Sequence, residues 1–204
     1  MRNIILHPSR YGNSTMVVLP AGIIDAYNHV ANDYIDLVRP GQIGIVLSRV
    51  GCGKTKVLTD IAKAHIEKSD TNSPIFSSHQ DTQNRLNSLF SGYTNNVRMV
   101  RSGSIDISKY SSMVASDFHT ALFLDDADAL NAYNTNSALF MDILHRAARV
   151  NDIPIWLSMQ AARNNNGIAT PRGSLSPIYT ASTVLSVDVD NTGETVISIV
   201  KKRN

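Results

Sequence analysis

The chain has 204 residues, of which 43% are hydrophobic and 18% are charged, and its formal net charge is +2. This balance predicts one globular domain with a full core and excludes a strongly basic nucleic-acid module, so any DNA contact needs a local basic patch. Cys52 is the single cysteine, which excludes an intrachain disulfide and a cysteine-based zinc site.

The first forty residues are predicted to form a lead-in that packs on the core. Short β-prone runs at Ile4–Leu6 and Met16–Leu19 flank residues 8–13, whose composition predicts a turn. A helix is predicted from about Ala21 to Val38, because apolar residues recur there at helical spacing. No apolar run approaches the roughly 18 residues that span a bilayer, so we expect a soluble, intracellular protein without a membrane-spanning segment.

From residue 41 onwards the sequence alternates strand and helix, which predicts a mostly parallel central sheet with helices on both faces. A polar loop is expected over Gln160–Ser176, and a C-terminal hairpin pairs Val184–Val189 with Thr195–Val200. We interpret the whole chain, residues 1–204, as a single domain. The predicted strands are Ile43–Leu47, Pro74–Ser78, Val97–Val100, Ala121–Asp125 and Ile153–Met159, and the predicted helices are Lys54–Lys68, residues 80–91 and Ser137–Val150.

A glycine-rich segment, Ser48 to Thr55, lies between the first of these strands and the first helix. It matches the phosphate-loop pattern G-x-x-x-x-G-K-[ST], with Ser48 in place of the first glycine. Lys54 is expected to contact the β- and γ-phosphates of ATP, and the Thr55 hydroxyl is expected to bind Mg²⁺. The residues predicted to surround the nucleotide phosphates are Arg49, Val50, Gly51, Cys52, Gly53, Lys54, Thr55 and Lys56.

Two carboxylates, Asp125 and Asp126, follow the apolar strand Ala121–Asp125. In phosphate-loop enzymes the first acid at such a strand end holds Mg²⁺, and we assign this role to Asp125. Asp126 is predicted to accept a proton from the attacking water, and Asp128 is a third acid in the same turn. A strand cap in a polar turn is the structural alternative for this group.

Gln160 follows the apolar run 153–159, where parallel-sheet sites place their functional groups. Its amide is predicted to face the γ-phosphate and the attacking water. Arg149 is the first candidate for an arginine that a neighbouring subunit contributes in trans, and the other candidates are Arg146, Arg163 and Arg203.

The predicted helix 137–150 carries two of these arginines, Arg146 and Arg149, which are expected to share an exposed face. Its buried face is expected to run through Leu139, Ile143 and Ala147.

The spacing between the phosphate loop and Asp125 leaves room for an additional strand and helix. We therefore expect that the acidic strand is not the sheet neighbour of the phosphate-loop strand, which is the arrangement of RecA-like ATPases. The expected fold is thus an α/β, RecA-like P-loop NTPase domain with a C-terminal hairpin.

Three segments together resemble HerA/FtsK-type ATPases: the loop Ser48–Thr55, the acidic strand ending at Asp126, and residues 149–160, in which an arginine and an apolar strand precede Gln160. Within this group the chain is most similar to the poxvirus-type genome-packaging ATPases, in particular those of the turreted icosahedral viruses of Sulfolobus. Many relatives carry Glu where Asp126 stands.

The resemblance implies an ATP-driven motor that moves double-stranded DNA into a preformed capsid. It also implies a homo-oligomeric ring, expected to be a hexamer, that contacts viral capsid or portal-vertex proteins in the host cytoplasm and at the procapsid.

Two other functional classes remain open at this stage. A DnaB-type replicative helicase often carries a Lys-x-Arg pair on its last strand, as Lys201 and Arg203 are here, but it keeps a glutamate near the second strand, where this chain has Ser78, His79 and Gln80. A slowly hydrolysing, nucleotide-gated structural protein is the third class, and the paired acids at 125 and 126 argue against it.

Overall fold

The computed structural model describes residues 9–11, 14–18, 34–68, 74–78, 83–101, 120–162 and 170–202. Together these ranges form an α/β unit with a mostly parallel central sheet and helices on both faces.

The strands are β1 Ser9–Tyr11, β2 Ser14–Val18, β3 Ile43–Ser48, β4 Ile75–Ser78, β5 Arg98–Arg101, β6 Leu122–Asp125, β7 Ile155–Ala162, β8 Thr170–Pro171, β9 Thr183–Val189 and β10 Thr195–Lys202. The helices are α1 Lys54–Lys68, α2 Gln83–Leu89, α3 Asn131–Thr135, α4 Ser137–Asn151 and α5 Ser176–Thr180, and a 3₁₀ turn spans Ala127–Ala129.

The strand order across the sheet is β1-β2-β10-β9-β3-β7-β6-β4-β5, and β8 pairs with β7 outside this path. The strands from β9 to β5 are parallel, whereas β10, β2 and β1 extend one edge in antiparallel pairing. Strand β7 lies between β3 and β6. Its first five residues, Ile155–Met159, are all buried, as a strand covered on both faces requires.

Two hydrophobic clusters cover the two faces of the sheet. Helices α1 and α2 pack on one face, where Leu58, Ile61 and Leu86 meet Phe123 and Trp156. Helices α3 and α4 pack on the opposite face through Tyr133, Phe140, Leu144 and Ala148, which belong to the second cluster. The predicted strand-helix alternation is confirmed in the described residues between 43 and 160. Strands buried on both faces favour the continuous apolar runs from which they were predicted.

The lead-in and the segment after Gln160 differ from their predictions. Residues 9–11, inside the predicted turn 8–13, form a strand that pairs with β2. Residues 160–176 are not simply a polar loop, because β8 pairs with the end of β7 and Ser176 begins α5. Ile4–Leu6 and most of the predicted helix 21–38 lie outside the described residues.

The buried stripe of helix α4 agrees with the predicted one only in part. The predicted face began at Leu139, whose side chain is 54% exposed. Ala147 is buried as predicted and Ile143 is partly buried against the core, and the other buried residues are Phe140, Met141, Leu144 and Ala148. Two apolar rows run along this helix, and the row with the larger side chains, Phe140 and Met141, faces the sheet because it removes more apolar surface from water.

The C-terminal hairpin is confirmed with slightly longer strands than predicted. β9 and β10 pair in antiparallel register from Thr183 to Lys202. The Asp190 side chain accepts hydrogen bonds from the backbone amides of Thr192 and Glu194, which closes the turn. Across the described ranges, no helix is long and apolar enough to cross a membrane.

Candidate functional site

The glycine-rich segment Ser48–Thr55 leaves the carboxyl end of β3 and leads into α1. Gly51 and Gly53 have φ angles of 82° and 90°, in the left-handed region that favours glycine. A Cβ atom at either position would meet nothing within 4 Å, so backbone conformation and not lack of space requires glycine here. The Val57 amide donates to the Gly53 carbonyl at 3.0 Å, which begins the helix immediately after the loop.

The loop is tied to the neighbouring strand β9 through Arg49. Its guanidinium lies 2.5 Å from Asp188 Oδ1, and the Cys52 Sγ lies 3.7 Å from the same oxygen. Burial raises the pKa of Asp188, but the hydrogen bonds from Arg49 and the Val189 amide, with the charge of Arg49, more than offset it and hold the pKa below its ordinary value. Sequence reasoning missed Asp188. Val50 and Lys56 are exposed at the two sides of the loop.

Lys54, in the first turn of α1, reaches the acidic turn after β6. Its Nζ atom lies 2.6 Å from Asp126 Oδ1. Burial lowers the pKa of Lys54, but the hydrogen bond and charge of Asp126, with the charges of Asp125 and Asp128, more than offset it. Lys54 therefore stays protonated as a cation that faces three carboxylates.

Thr55 and Asp125 meet on the same side of α1. The Thr55 hydroxyl donates to Asp125 Oδ2 at 2.9 Å, and its distance to Oδ1 is 3.2 Å. Asp125 is 2% exposed. Burial and the neighbouring charge of Asp126 raise its pKa to about 6, against hydrogen bonds from Ser158 and Thr55. The two side chains that the sequence assigned to Mg²⁺ thus lie together.

Ser158, on β7, joins the two acids through one buried hydroxyl. Its Oγ donates to Asp125 Oδ1 at 2.5 Å and accepts the backbone N–H of Asp126 at 2.9 Å. Asp126 itself has a φ of 53°, a left-handed conformation that aspartate tolerates better than most residues. Sequence reasoning missed Ser158. The available signal was a single hydroxyl inside the otherwise apolar run Ile155–Met159.

Gln160 is placed beside the start of the glycine-rich loop. In the parallel pairing of β3 with β7 it lies opposite Ser48. The strand does not end at Met159 as predicted but continues to Ala162, since Ala161 and Ala162 pair with β8. Gln160 is therefore a half-buried strand residue at the edge of the site.

A polar cavity of about 800 Å³ adjoins this edge, and Asp126, Asp128 and Gln160 border it. Burial raises the pKa of Asp128, and a hydrogen bond from the Gln160 backbone opposes that rise. A backbone hydrogen bond from Gln160 to Asp128 therefore joins the acidic turn to β7, and residues of both border the same cavity.

The two candidate arginines that the structure describes, Arg146 and Arg149, are not part of this cluster. Arg149 is exposed and lies beside Gly41, where a Cβ would be 3.8 Å from the Arg149 Cα and Cγ atoms. Arg146 and Arg149 border a separate cavity of about 450 Å³ with Asp142 and His145, which confirms their shared exposed face. Arg163, Arg203 and His79 lie outside the described residues.

The oxygen atoms of Thr55 and Asp125 are the ligand type that Mg²⁺ prefers, and this ion usually keeps waters and phosphate oxygens as its other ligands. In the part of the chain that the structure describes, no group of three or more His, Cys, Asp or Glu side chains could hold a metal ion. The pair therefore fits an ion that arrives with a phosphate ligand, and it does not fit an all-protein metal cage.

Comparisons with protein-family models and with curated protein sequences find no match to this chain.

Proposed function

We propose that the chain is a Mg²⁺-dependent ATPase with a RecA-like P-loop fold. The observation that carries the proposal is the contact of Lys54 and Thr55, which end the glycine-rich segment and begin α1, with the acid pair Asp126 and Asp125 at the end of β6. A positively charged helix start faces paired carboxylates at the carboxyl edge of a parallel sheet, where α/β proteins bind their ligands.

The strand order supports the RecA-like assignment. β7, which carries Ser158 and Gln160, lies between the loop-bearing β3 and the acid-bearing β6. Sequence spacing predicted that β3 and β6 are not neighbours, and the described sheet has this arrangement. The intervening strand presents Gln160 opposite Ser48 at the start of the loop, where an amide can contact the terminal phosphate.

The chemistry assigned to these residues is phosphoryl transfer to water. The loop amides and the Lys54 ammonium stabilise the phosphate charge, and Asp126 accepts the proton of the attacking water. Thr55 and Asp125 would hold Mg²⁺, which would supply positive charge to the phosphate oxygens. In this structure the Asp126 carboxylate is ion-paired with Lys54, so Lys54 has to turn towards the nucleotide before Asp126 can act as a base.

We further propose that hydrolysis drives double-stranded DNA into a viral capsid. The support is the resemblance of residues 48–55, 122–126 and 149–160 to HerA/FtsK-type packaging ATPases. The same resemblance supports a ring of identical subunits, which we propose to be a hexamer. The ring would contact capsid or portal-vertex proteins in the host cytoplasm.

The helicase alternative relied on Lys201 and Arg203 acting in trans. Lys201 Nζ donates to the backbone carbonyls of Ile178 and Tyr179, at the end of α5. Its ammonium is therefore engaged within its own chain, which favours the translocase over the helicase.

The decisive experiment measures ATP hydrolysis by the wild-type chain and by Lys54→Ala, with and without duplex DNA. We expect a Mg²⁺-dependent rate that blunt duplex DNA stimulates, and a loss of at least about 100-fold in Lys54→Ala, since the variant loses a preorganised charge at the phosphates. Lys68→Ala is the matched control, because Lys68 lies at the far end of α1 and pairs with Asp36.

Equal rates for Lys54→Ala and the wild type would contradict the site assignment. Separation of a forked DNA substrate would contradict packaging and favour the helicase. A stimulated rate without strand separation supports the translocase.

A further inference from the structure

Arg172 borders the same polar cavity as Asp126, Asp128 and Gln160. It lies directly after β8, in a stretch that sequence reasoning treated as loop. The cavity opens next to the carboxylate that touches Lys54, so it adjoins the phosphate-binding end of the proposed nucleotide site.

The backbone of Arg172 is fixed on both sides. Its N–H donates to the Gln160 carbonyl at 2.9 Å, and its carbonyl accepts the Tyr133 hydroxyl at 3.3 Å. Burial, with a smaller effect from the charge of Asp128, raises the pKa of Tyr133 to about 12, so the phenol keeps the proton that it donates. The preceding Pro171 pairs with Ala161. Arg172 is therefore held in register with the strand that carries Gln160.

The guanidinium of Arg172 has no carboxylate partner among the described residues, although two carboxylates border the cavity. Asp126 is ion-paired with Lys54, and Asp128 accepts a hydrogen bond from the Gln160 backbone. Arg49, Lys54 and Lys68, by contrast, are each paired with a carboxylate. An anchored arginine without an ion pair leaves its donors available to an anion.

We propose that Arg172 binds the terminal phosphate of the nucleotide held in its own chain and thereby distinguishes a triphosphate from a diphosphate. This inference rests on the proposed function. In the proposed site Lys54 contacts the β- and γ-phosphates, and its partner Asp126, which is assigned to the attacking water, borders the cavity. The phosphate nearest the cavity is therefore the terminal one. The Arg172 guanidinium offsets the repulsion that Asp126 and Asp128 exert on this phosphate, and a planar guanidinium matches phosphate geometry.

The test compares the affinities of a fluorescent, non-hydrolysable ATP analogue and of the matching ADP derivative, both with Mg²⁺. We expect Arg172→Ala to weaken triphosphate binding by about 10-fold or more, as loss of a charged hydrogen bond implies, and to leave diphosphate binding within about twofold. Arg172→Lys keeps the positive charge but lacks the planar set of N–H donors, so its loss of triphosphate affinity should be smaller than that of Arg172→Ala.

Arg39→Ala is the matched control, because it removes an exposed arginine that precedes β3, away from the cavity. It should bind both nucleotides as the wild type does. Tyr133→Phe is a second variant that keeps the guanidinium but removes the hydroxyl that holds the Arg172 carbonyl. We expect it to reduce the preference for the triphosphate less than Arg172→Ala does.

Two results would overturn the inference alone: unchanged triphosphate affinity in Arg172→Ala, or an equal loss for triphosphate and diphosphate while the thermal unfolding temperature matches that of the wild type. A wild-type chain that binds neither nucleotide would overturn the proposed function as well. The two failures are therefore distinguishable in one set of titrations.

Discussion

The hydroxyl of Ser158 determines how the acidic turn after β6 is held. It is buried, donates to the Asp125 carboxylate and accepts the Asp126 amide. The amide belongs to a residue in the left-handed region, so the hydrogen bond fixes a backbone conformation as well as a side chain. A loss of this hydroxyl leaves a buried donor and a buried acceptor without their partner, which is costlier than the loss of an exposed contact.

Ser158→Ala is therefore expected to lower the free energy of unfolding by about 1–3 kcal/mol and to reduce ATP hydrolysis. The measurements are denaturant unfolding and kcat. Ser182→Ala is the control. The Ser182 hydroxyl is also buried, but it donates to the Ile43 carbonyl at 2.9 Å, at the start of β3 and away from the glycine-rich loop. This variant should lose stability and keep kcat. A Ser158→Ala chain with full activity would show that the hydroxyl has a structural role only.

The carboxyl of Asp125 is expected to reduce stability at neutral pH. Its folded pKa of about 6 lies above the ordinary 3.8. The contribution of Asp125 to the free energy of unfolding is therefore largest below its unfolded-state pKa and is lost as the pH rises through 6. A shift of about two units corresponds to about 3 kcal/mol.

Asp125→Asn should therefore be more stable than the wild type by about 1–3 kcal/mol at pH 7.5 and should hydrolyse no ATP. The difference in the free energy of unfolding is expected to shrink towards pH 4. Burial lowers the pKa of His65, so its contribution to stability increases as the pH rises. This contribution is the same in both chains and cancels when the two free energies of unfolding are subtracted. A difference that does not change with pH would contradict the raised pKa of Asp125.

At the scale of elements, a glycine in β3 leaves space for an aromatic side chain of the neighbouring strand β7. A Cβ on Gly44 would lie 2.5 Å from the Trp156 ring and 2.6 Å from Val38 Cγ2. Gly44 and Trp156 are paired across the two strands, so the large ring occupies the space that a β3 side chain would need. Gly44 therefore leaves room for the Trp156 ring in the core on this face of the sheet.

Gly44→Ala is expected to lower the free energy of unfolding by about 1–3 kcal/mol, because added volume in a close-packed core forces side chains out of their preferred positions. Chemical denaturation checks this value. Replacement of Trp156 by Leu in the same chain should recover part of the loss, and the double-mutant cycle measures the coupling. Additive effects would mean that the alanine is accommodated elsewhere.

At the scale of the whole molecule, the length of α4 separates Arg149 from the site of its own chain. The helix begins at the cavity next to Gln160, and Arg149 lies twelve residues after Ser137. At about 1.5 Å per residue this is roughly 18 Å. If Arg149 contacts a nucleotide, as the resemblance to ring ATPases implies, we expect that nucleotide to be bound by a neighbouring subunit.

Mixing two inactive variants tests this assignment. Arg149→Ala keeps its own site but cannot contribute to a neighbour, whereas Asp126→Asn has an inactive site and can still contribute Arg149. We expect the mixed oligomers to regain part of the ATPase activity that neither variant has alone. An interface between the two variants can combine Arg149 of the Asp126→Asn subunit with the intact site of the Arg149→Ala subunit. If mixtures stay inactive while the oligomers form, Arg149 is not the contributed arginine.

The sequence determined the local elements of this chain well where one periodicity or one motif dominated. Lys54–Lys68 begins and ends as predicted, because glycines in the left-handed region precede it and one apolar stripe runs along it. The acid pair at 125 and 126 was also evident, since polar residues after an apolar strand mark the carboxyl edge of a parallel sheet.

Only the tertiary structure decided which groups meet across the sheet. Ser158 and Asp188 are ordinary polar residues in the sequence, and they matter because β7 and β9 place them against Asp125 and Arg49. The buried stripe of α4 was decided in the same way, by the volume that the sheet offers to Phe140 and Met141. Local patterns specify a strand or a helix, whereas the neighbours of a side chain depend on strand order and register. These are set by packing between segments far apart in the chain.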